Sequence, residues 1–502
     1  MELRQSRRTF MVRSTAMLGA CGTLGLTAGC SPAPARTRVR LPVPPLLAPT
    51  AGRISLRAQQ GVTSFVAGTA ASTRGFNGSF LGPTLLLRSA ATTEVSVMNG
   101  LDESTTVHWH GLLISSEADG GPHHLIQPGG TWRTALDVDQ APATLWYHAH
   151  PHPRTAPQVY SGLAGMIIVG DGQDADLGLP HRYGVDDIPL ILRDAVLDQG
   201  RLVYPRDPMT RMHGVRGSTM LANGAVDAVA PVPRAWVRLR LMNAANARVF
   251  NLAFDDQREF LWIGTDGGLL STPQALRSLV LAPGQRAELL VDFTTGEDVA
   301  LVTSRDPTVG AGMGRGMMAM TDPIEGPITM VRFEPAGPRF ATEPPTRLAG
   351  QPVPDARSVT RRREIRLTMG MGMMGGGMGP GMRGRGRGPM GMMGSFGIDG
   401  QPFDMDRVDH QVRLGDTEIW RVSGDMMQHP FHVHGVHFHV LARDGRDPDP
   451  LDAGHKDTVL VQEPVDLLVK FTKPAGRIPF MFHCHTLEHE DGGMMGQFST
   501  FG

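Results

Sequence analysis

His483-Cys484-His485-Thr486-Leu487-Glu488-His489 lies close to the C-terminus of this 502-residue chain and decides how the rest of the sequence is interpreted. Residues i and i+2 of a β-strand project from the same face. His483 and His485 are therefore predicted to face one side of a strand, while Cys484 faces the other. One strand can thus serve two metal sites, with a thiolate on one face and two imidazoles on the other.

Cys484 is predicted to belong to a site with one thiolate, two imidazoles and one thioether. His489 and Met494 follow it in a turn-rich stretch, and His429 stands in an earlier motif. This donor set matches a blue-copper electron-transfer site, in which Met is the weak axial ligand. Met495, the neighbour of Met494, is a second candidate for the thioether.

Three further motifs repeat the His-x-His spacing. They are His108-Trp109-His110-Gly111, Trp146-Tyr147-His148-Ala149-His150 and His429-Pro430-Phe431-His432-Val433-His434-Gly435. On a strand that rises about 3.4 Å per residue, each pair delivers two imidazoles about 7 Å apart on one face. With the pair around Cys484, these motifs supply eight imidazoles, enough for a cluster of several metal ions. Histidine binds copper, iron, nickel and zinc, and the adjacent thiolate site favours copper.

Composition excludes several other classes of protein. Hydrophobic residues make up 41% and charged residues 19% of the chain, which predicts a globular protein with large cores. The formal net charge is only -1, which argues against a dedicated nucleic-acid or membrane-surface binder, so no nucleic-acid partner is expected. The chain has only 3 cysteines, too few for a disulfide scaffold or a Cys-rich zinc or iron–sulfur protein.

The chain is predicted to be all-β, with three β-domains in tandem. The 62 glycines and 39 prolines favour many short strands joined by turns. The predicted domains span 61–175, 185–340 and 360–502, after a linker or edge strand over 36–60. No ligand motif falls in the middle domain. A loop rich in methionine and glycine, 369–394, contains nine methionines and cannot bury a core of its own.

Residues 1–35 are predicted to be an export signal. Arg7-Arg8 precedes Phe10 and a moderately apolar, glycine-broken segment, which indicates the twin-arginine route and a periplasmic or otherwise extracytoplasmic location. Two forms of the mature protein remain open. Cleavage after Ala35 would release it without a lipid, whereas Cys30 could carry a lipid anchor. No transmembrane span is predicted in the mature chain.

The four motifs, in this order and at the two ends of the chain, resemble those of the three-domain multicopper oxidases. The resemblance covers nearly the whole mature chain and implies three cupredoxin-like Greek-key domains and four copper ions. Cys484, His429, His489 and Met494 would hold the mononuclear type 1 copper. The remaining ligands would form a trinuclear cluster between the first and third domains: His108 and His432 for type 2, His110, His148 and His485 for one type 3 copper, and His150, His434 and His483 for the other.

Within that family the sequence resembles the bacterial copper efflux oxidases, which are exported cuprous oxidases. The motif from Gly424 to Pro430 carries this resemblance, together with the methionine-rich loop. It implies oxidation of Cu(I) coupled to the four-electron reduction of O2 to water, in copper tolerance. Asp425 and Met427 would bind a substrate copper. The loop 369–394 contains no Asp, whereas the group usually places one among its methionines.

Proton supply to the cluster requires carboxylates nearby. Asp119 and Glu490 match acidic positions that relay protons in the family. Of the other histidines, four are predicted to be ordinary surface residues: His181, His213, His410 and His455.

Three alternatives differ in what reaches the copper. A laccase oxidising phenols would share every ligand and use small organic reductants in place of Cu(I); the methionine-rich loop favours Cu(I), because thioethers are soft ligands. A copper-free division or scaffold protein on the same fold would have lost ligands, and all are present here. A copper storage or delivery protein does not need a complete trinuclear set. The expected partners are therefore Cu(I) or small organic reductants and O2, and the chain is expected to be a monomer.

Overall fold

The computed structural model describes residues 38–310, 322–340, 342–371 and 393–502, and in these ranges the regular secondary structure is mainly β-strand, with only short helices. The predicted export signal 1–35 and most of the predicted methionine-rich loop, 372–392, lie outside the described residues. Within the described ranges the strands pair into sheets that stack face to face. The predicted all-β class is confirmed.

The first sandwich is built from strands in the N-terminal part of the described chain. β6 shows why such segments are strands, because Val95 and Val97 are buried on one face while Glu94 is exposed on the other. Two sheets, β4-β3-β6-β7 and β2-β5-β9-β8, enclose a core that includes Leu85 and Val97. The elements of this region are β1 (Val39–Arg40), β2 (Leu46–Leu47), β3 (Arg53–Thr63), β4 (Ala71–Phe76), β5 (Thr84–Arg88), β6 (Ala91–Asn99), α1 (Ser116–Asp119), β7 (Thr131–Val138), β8 (Ala143–His148), α2 (Thr155–Tyr160) and β9 (Ala164–Gly170).

The second, middle sandwich packs the sheets β1-β14-β22-β21-β16-β19 and β13-β10-β15-β20-β17-β18 around a core that includes Leu239 and Phe250. β11 and β12 pair separately. The elements are β10 (Asp187–Ala195), β11 (Leu197–Asp198), β12 (Arg201–Leu202), α3 (Pro208–His213), β13 (Thr219–Ala222), β14 (Ala228–Arg234), β15 (Trp236–Asn243), β16 (Phe250–Phe254), β17 (Phe260–Thr265), β18 (Gly268–Leu276), β19 (Ser278–Leu281), β20 (Arg286–Asp292), β21 (Val299–Ser304) and β22 (Ile328–Arg339).

The third sandwich packs the sheets β24-β23-β26-β30-β28 and β25-β32-β31-β27-β29 around a core that includes Trp420 and Phe482. Its elements are β23 (Val359–Met371), β24 (Met393–Ile398), β25 (His410–Arg413), β26 (Thr417–Gly424), β27 (His429–Val433), β28 (Phe438–Arg443), β29 (Thr458–Val461), β30 (Val465–Lys470), β31 (Phe480–Cys484), α4 (Leu487–Asp491), β32 (Met495–Phe501) and two 3-10 turns, Ala356–Ser358 and Pro450–Asp452.

The stretch 36–60, predicted as a linker or edge strand, combines several roles. β1 lies at the edge of a middle-sandwich sheet, beside β14, and β2 lies at the edge of a first-sandwich sheet, beside β5. β3 begins at Arg53 and lies between β4 and β6. The residues from Arg53 onward therefore form an inner strand of a sheet in the first sandwich, and not a linker or an edge strand.

Strand register brings the histidine motifs together in pairs. β27 and β31 are antiparallel, with His432 opposite His483 and Phe431 opposite Cys484. In the first sandwich His108 and His148 face each other through a two-way backbone bridge. The motifs that are distant in sequence thus become neighbours through ordinary ladder hydrogen bonds.

Helix α4 lies where the three sandwiches meet, because it packs against α2 and α3. Leu487 is buried in one apolar cluster with Trp146, Val159 and Met242, which come from the first and second sandwiches. Among the described residues, no helix is long and apolar enough to cross a membrane.

Candidate copper centres

The mononuclear site gathers its donors from β27, β31 and α4. Cys484 Sγ lies 3.5 Å from His429 Nδ1 and 3.6 Å from His489 Nδ1. All three side chains are fully buried. Met494 is buried in the same apolar cluster as Cys484. Two strands and the short helix therefore bring together one thiol and two imidazoles, as the motif predicts, and Met494 is buried in the same core.

Backbone carbonyls fix both imidazoles of this site. His429 Nε2 donates to the carbonyl of Asp425 at 3.0 Å, and His489 Nε2 donates to the carbonyl of Met212 at 2.9 Å. A hydrogen bond at one ring nitrogen sets the tautomer and leaves the other nitrogen free to bind a metal. Met212 belongs to α3 of the middle sandwich, and its part in the site was missed from the sequence because no ligand motif lies near it.

Burial controls the ionisation of this site. Burial raises the pKa of the Cys484 thiol to about 12 and lowers the pKa of His429 to about 4. The imidazoles are thus neutral and ready to donate a lone pair, while the thiol keeps its proton until a cation stabilises the thiolate. Proton release on metal binding follows from this arrangement.

The eight imidazoles of the His-x-His pairs converge between the first and third sandwiches, and all are buried. His483 Nε2 lies 3.2 Å from His150 Nε2 and 3.1 Å from His434 Nε2. These three rings are the set that the family resemblance implies for one type 3 copper. Two further groups of donors lie within metal-binding reach of one another: His108 with His110 and His148, and His108 with His432 and His434.

Besides His483, whose Nδ1 donates to the carbonyl of Cys484, three cluster imidazoles are held by backbone carbonyls through Nδ1. The hydrogen bonds run from His108 to Asp119 (3.1 Å), from His148 to Ala149 (3.0 Å) and from His432 to Asp457 (2.8 Å). The Nε2 atoms of the same rings are buried and have no hydrogen-bond partner among the described residues. Both ring nitrogens of His485 are also buried and have no hydrogen-bond partner among the described residues. Buried nitrogens without a partner are costly, and bound metal ions would satisfy them.

His110 is oriented in the opposite way. Its Nε2 donates to a carboxylate oxygen of Asp457 at 3.1 Å, and its Nδ1 is buried without a partner among the described residues. His110 therefore offers Nδ1 to the cluster. Asp457 was missed by sequence reasoning, because Lys456-Asp457-Thr458 carries no motif that links it to histidines far away in the chain.

Two carboxylates that the sequence singled out lie beside the cluster. Asp119, at the end of α1, accepts a 2.6 Å hydrogen bond from Nδ1 of His434. Glu490, in α4, lies 3.4 Å from Nδ1 of His150 and 3.2 Å from Nδ1 of His483. Burial raises the pKa of Glu490 well above its usual range. Both carboxyl groups thus lie next to imidazoles of the cluster, and the raised pKa of Glu490 favours a proton on that group.

The residues proposed for a substrate copper have a different environment. Asp425 forms an ion pair with Arg366, at 2.6 Å from Nη2 and 2.9 Å from Nε. The side chain of Met427 packs, half-buried, against the core that contains Cys484.

Among the histidines predicted to lie on the surface, His213 is only 3% exposed, so that prediction is wrong for His213.

The geometry defines the class. A buried Cys-His-His-Met site shares one strand with a cluster of buried imidazoles, and this cluster is built between two β-sandwiches. This arrangement is that of a copper protein that takes up single electrons at one site and uses them at a second site containing several metal ions.

Comparisons with known proteins identify the family. The multicopper oxidase family is matched twice, over residues 57–174 and 381–501. The chain is 33% identical to the multicopper oxidase Mco of Staphylococcus haemolyticus, over 88% of this chain and 87% of the relative. It is 37% identical to the cell division protein FtsP of Edwardsiella tarda, over 98% of both chains.

A solved structure has the same architecture. The CueO protein of an Ochrobactrum species, described as a laccase-like multi-copper oxidase with activity towards lignin model compounds and lignosulfonate, is 38% identical with a TM-score of 0.81. The match covers 92% of this chain and 100% of that one. The chain belongs to the multicopper oxidase family, its sandwiches are cupredoxin-like, and its cofactors are a type 1 copper and a trinuclear copper cluster.

The role of Cys484 can be tested by substitution. Cys484→Ser is expected to abolish the strong visible thiolate-to-copper absorption while the trinuclear coppers stay bound, because colour and electron entry depend on one thiolate. Optical spectra and metal analysis on the copper-loaded protein measure both effects. Met494→Leu should shift the same absorption and Met495→Leu should not. An unchanged visible spectrum in Cys484→Ser would exclude the blue-copper assignment.

The carboxylates can be tested separately. In copper-saturated protein, Asp119→Asn and Glu490→Gln should keep fast reduction of the type 1 site, yet slow reoxidation by O2 per bound cluster by about 10²-fold or more, since a carboxamide cannot transfer protons at neutral pH. Stopped-flow reoxidation and oxygen uptake measure this step. Glu94→Gln, an exposed carboxylate on β6, is the control. Normal oxygen consumption in both variants would contradict the proton-relay role.

Proposed function

We propose that this multicopper oxidase is a cuprous oxidase that acts in copper tolerance. The reaction is 4 Cu(I) + O2 + 4 H⁺ → 4 Cu(II) + 2 H2O. When bound, the resident coppers supply one-electron uptake at the mononuclear site and four-electron reduction of O2 at the cluster. The protein supplies the ligands, the route for the electrons and the protons.

The observation that carries this proposal is a set of methionines that lie next to residues of the mononuclear site. Met212, Met426 and Met427 pack, half-buried, against the core cluster that contains Cys484 and Met494. Met212 comes from the middle sandwich and the other two from the loop before β27. Thioethers are soft ligands that bind Cu(I) well, whereas a phenol does not require a soft metal ligand for binding. The nine methionines of 369–394 lie in the same third region of the sequence.

The backbone around Asp425 links these thioethers to the type 1 site. The carbonyl of Asp425 accepts hydrogen bonds from His429 Nε2 at 3.0 Å and from the amide of Met427 at 2.6 Å. An electron that leaves Cu(I) bound at Met427 therefore has a short hydrogen-bonded route to a ligand imidazole. Met426, between them, has a φ of 62°, so the turn is held in a left-handed conformation.

From Cys484 the route to the cluster is equally short. His483 and His485 are its chain neighbours, and His483 Nδ1 donates to the carbonyl of Cys484 at 3.1 Å. Asp119 and Glu490 lie beside cluster imidazoles, where carboxyl groups can pass on the protons that the reduction of O2 consumes. The chain thus provides electron entry, transfer and proton delivery over adjacent residues.

A laccase-type oxidation of phenols is the second candidate, and the Arg366–Asp425 ion pair favours it. The carboxylate of Asp425 is bound to a guanidinium that is 64% exposed, so it can bind substrate copper only if this pair opens. An exposed arginine near the type 1 histidine also suits an anionic phenolic substrate. The Ochrobactrum relative is described as acting on lignin model compounds.

The relationship to FtsP raises a third possibility, a role in cell division without turnover. The buried, unpartnered nitrogens of the cluster favour a protein that binds copper. Metal analysis after copper loading and oxygen uptake with Cu(I) distinguish the two roles.

We propose that the protein works outside the cytoplasm, after twin-arginine export directed by 1–35. The choice between cleavage after Ala35 and a lipid at Cys30 is decided by mass spectrometry of the mature protein. An uncleaved, cytoplasmic chain would contradict this location.

The methionine-rich loop can be tested by deletion. Met371 pairs with Met393 at the ends of β23 and β24, so residues 372–392 can be replaced by an Asn-Gly turn that closes a hairpin. The deletion is expected to lower the rate with Cu(I) and raise the rate with bulky phenols, at unchanged copper content, because the loop would supply soft ligands and restrict access.

A matched control separates these two effects. Replacing the loop methionines by leucine keeps length and bulk but removes the thioethers, so it should lower the Cu(I) rate without raising the phenol rate. A loop that only shields the site predicts the phenol gain alone. An undiminished Cu(I) rate in both variants would overturn the cuprous oxidase proposal in favour of a general laccase.

A further inference from the structure

The middle sandwich holds the segment 455–458 of the third sandwich by several hydrogen bonds. The amide of Gly267 donates to the carbonyl of His455 at 2.8 Å, and Thr265 also donates to that carbonyl. The carboxylate of Asp266 lies 3.3 Å from the amides of both Asp457 and Thr458. The segment that follows β28 is therefore fixed from outside its own domain.

Arg286, the first residue of β20, completes this contact. Its guanidinium is completely buried, and Nη1 and Nη2 donate to the two carboxylate oxygens of Asp457 at 2.8 and 2.5 Å. The remaining three donors are bonded to the carbonyls of Thr144 (3.1 Å), Gly284 (2.8 Å) and Asp266 (3.0 Å). All five N–H groups of the side chain are thus used, and they join the three sandwiches at one point.

Asp457 in turn contacts two cluster ligands. Its carboxylate accepts from Nε2 of His110 at 3.1 Å, and its carbonyl accepts from Nδ1 of His432 at 2.8 Å. The carboxylate lies close enough to both rings to be considered as a metal ligand. The arginine fork and the hydroxyl of Thr458, at 2.8 Å, instead occupy its lone pairs. Asp457 therefore orients ligands and does not serve as one.

Gly111 shows how closely these groups approach. It follows His110 and has a φ of 89°. A Cβ at this position would lie 2.7 Å from both Arg286 Nη2 and Asp457 Oδ2. Glycine is thus required in the His-Trp-His-Gly motif because the arginine and the aspartate pass directly beside it.

We propose that the middle sandwich positions the trinuclear cluster through Arg286 and Asp457. Among its described residues this sandwich contributes none of the cluster ligands, yet Arg286 holds Asp457 where it fixes the tautomer of His110 and leaves Nδ1 of that ring free to bind copper. Arg286 is a positioning residue. The inference depends on the copper cluster and not on which reductant the enzyme uses.

The expected effect is a loss of copper affinity confined to the cluster. Removal of partners that orient metal-ligating residues typically weakens metal binding 10–100-fold. Arg286→Met should therefore weaken copper binding at the trinuclear site by about 10–100-fold in competition with a chelator. Because the carbonyl of Asp457 also holds His432, the residue expected at type 2 copper, the electron paramagnetic resonance signal of that copper should change as well. The visible absorption of the type 1 site should not change.

Arg238→Met is the matched control for the loss of a buried charge. Arg238 lies on β15 of the same sandwich, is 2% exposed, and pairs with Glu288 and Asp174 without touching a cluster ligand. Both variants should lower the thermal stability of the apo-protein. Only Arg286→Met should change the cluster.

Two further variants keep the test decisive if Arg286→Met does not fold. Arg286→Lys retains the positive charge but not the fork, and should give an intermediate loss of affinity. Asp457→Asn should weaken copper binding while Arg238→Met does not. Full trinuclear occupancy and an unchanged type 2 signal in Arg286→Lys and Asp457→Asn would overturn the proposal. Because these measurements use copper affinity and spectra, they are independent of the rates with Cu(I) or phenol.

Discussion

The alternation of side chains along β31 is the constraint on which both copper centres depend. Cys484 faces the core of the third sandwich, while His483 and His485 face the neighbouring sandwich. Any shift of register by one residue would exchange the thiol with an imidazole and destroy both sites. The ladder between β27 and β31, which places His432 opposite His483 and Phe431 opposite Cys484, therefore fixes the positions of ligands of both centres relative to one another. The third sandwich holds β31 in this register between β32 and β27.

Gathering so many imidazoles in one buried site removes them from water, which makes their charged forms unfavourable. Burial lowers the pKa of His148, His150 and His485 well below the usual range, because a charged ring loses its hydration there. Repulsion between neighbouring charged rings lowers these pKa values further. The rings are kept neutral, and hydrogen bonds to backbone carbonyls, or to carboxylates at His110 and His434, decide which nitrogen is free. The site is thus organised for cations before any cation binds, and bound copper would satisfy the nitrogens that the fold leaves without partners.

Contacts between domains explain why three sandwiches are needed for ligands that come from two. Asp119 of the first sandwich bonds to His434 of the third, and the carbonyl of Met212 in the middle sandwich holds His489. Arg286 joins all three at Asp457. Without each of these contacts, a buried donor or acceptor would have no hydrogen-bond partner. The docking of the domains and the orientation of the ligand side chains are therefore coupled.

The sequence by itself determined the all-β class, the copper-binding motifs and the two sides of the strand around Cys484, because strand periodicity and ligand chemistry are local properties. It also identified Asp119 and Glu490 through family resemblance. Only the tertiary structure decided that His110 presents Nδ1, that Asp425 is paired with Arg366, that His213 is buried, and that Asp457, Arg286 and Met212 support the centres. The contacts of His110, Arg286 and His489 join different sandwiches across more than a hundred residues, and Arg366 and Asp425 meet inside the third sandwich although they are 59 positions apart, so no local pattern encodes these meetings.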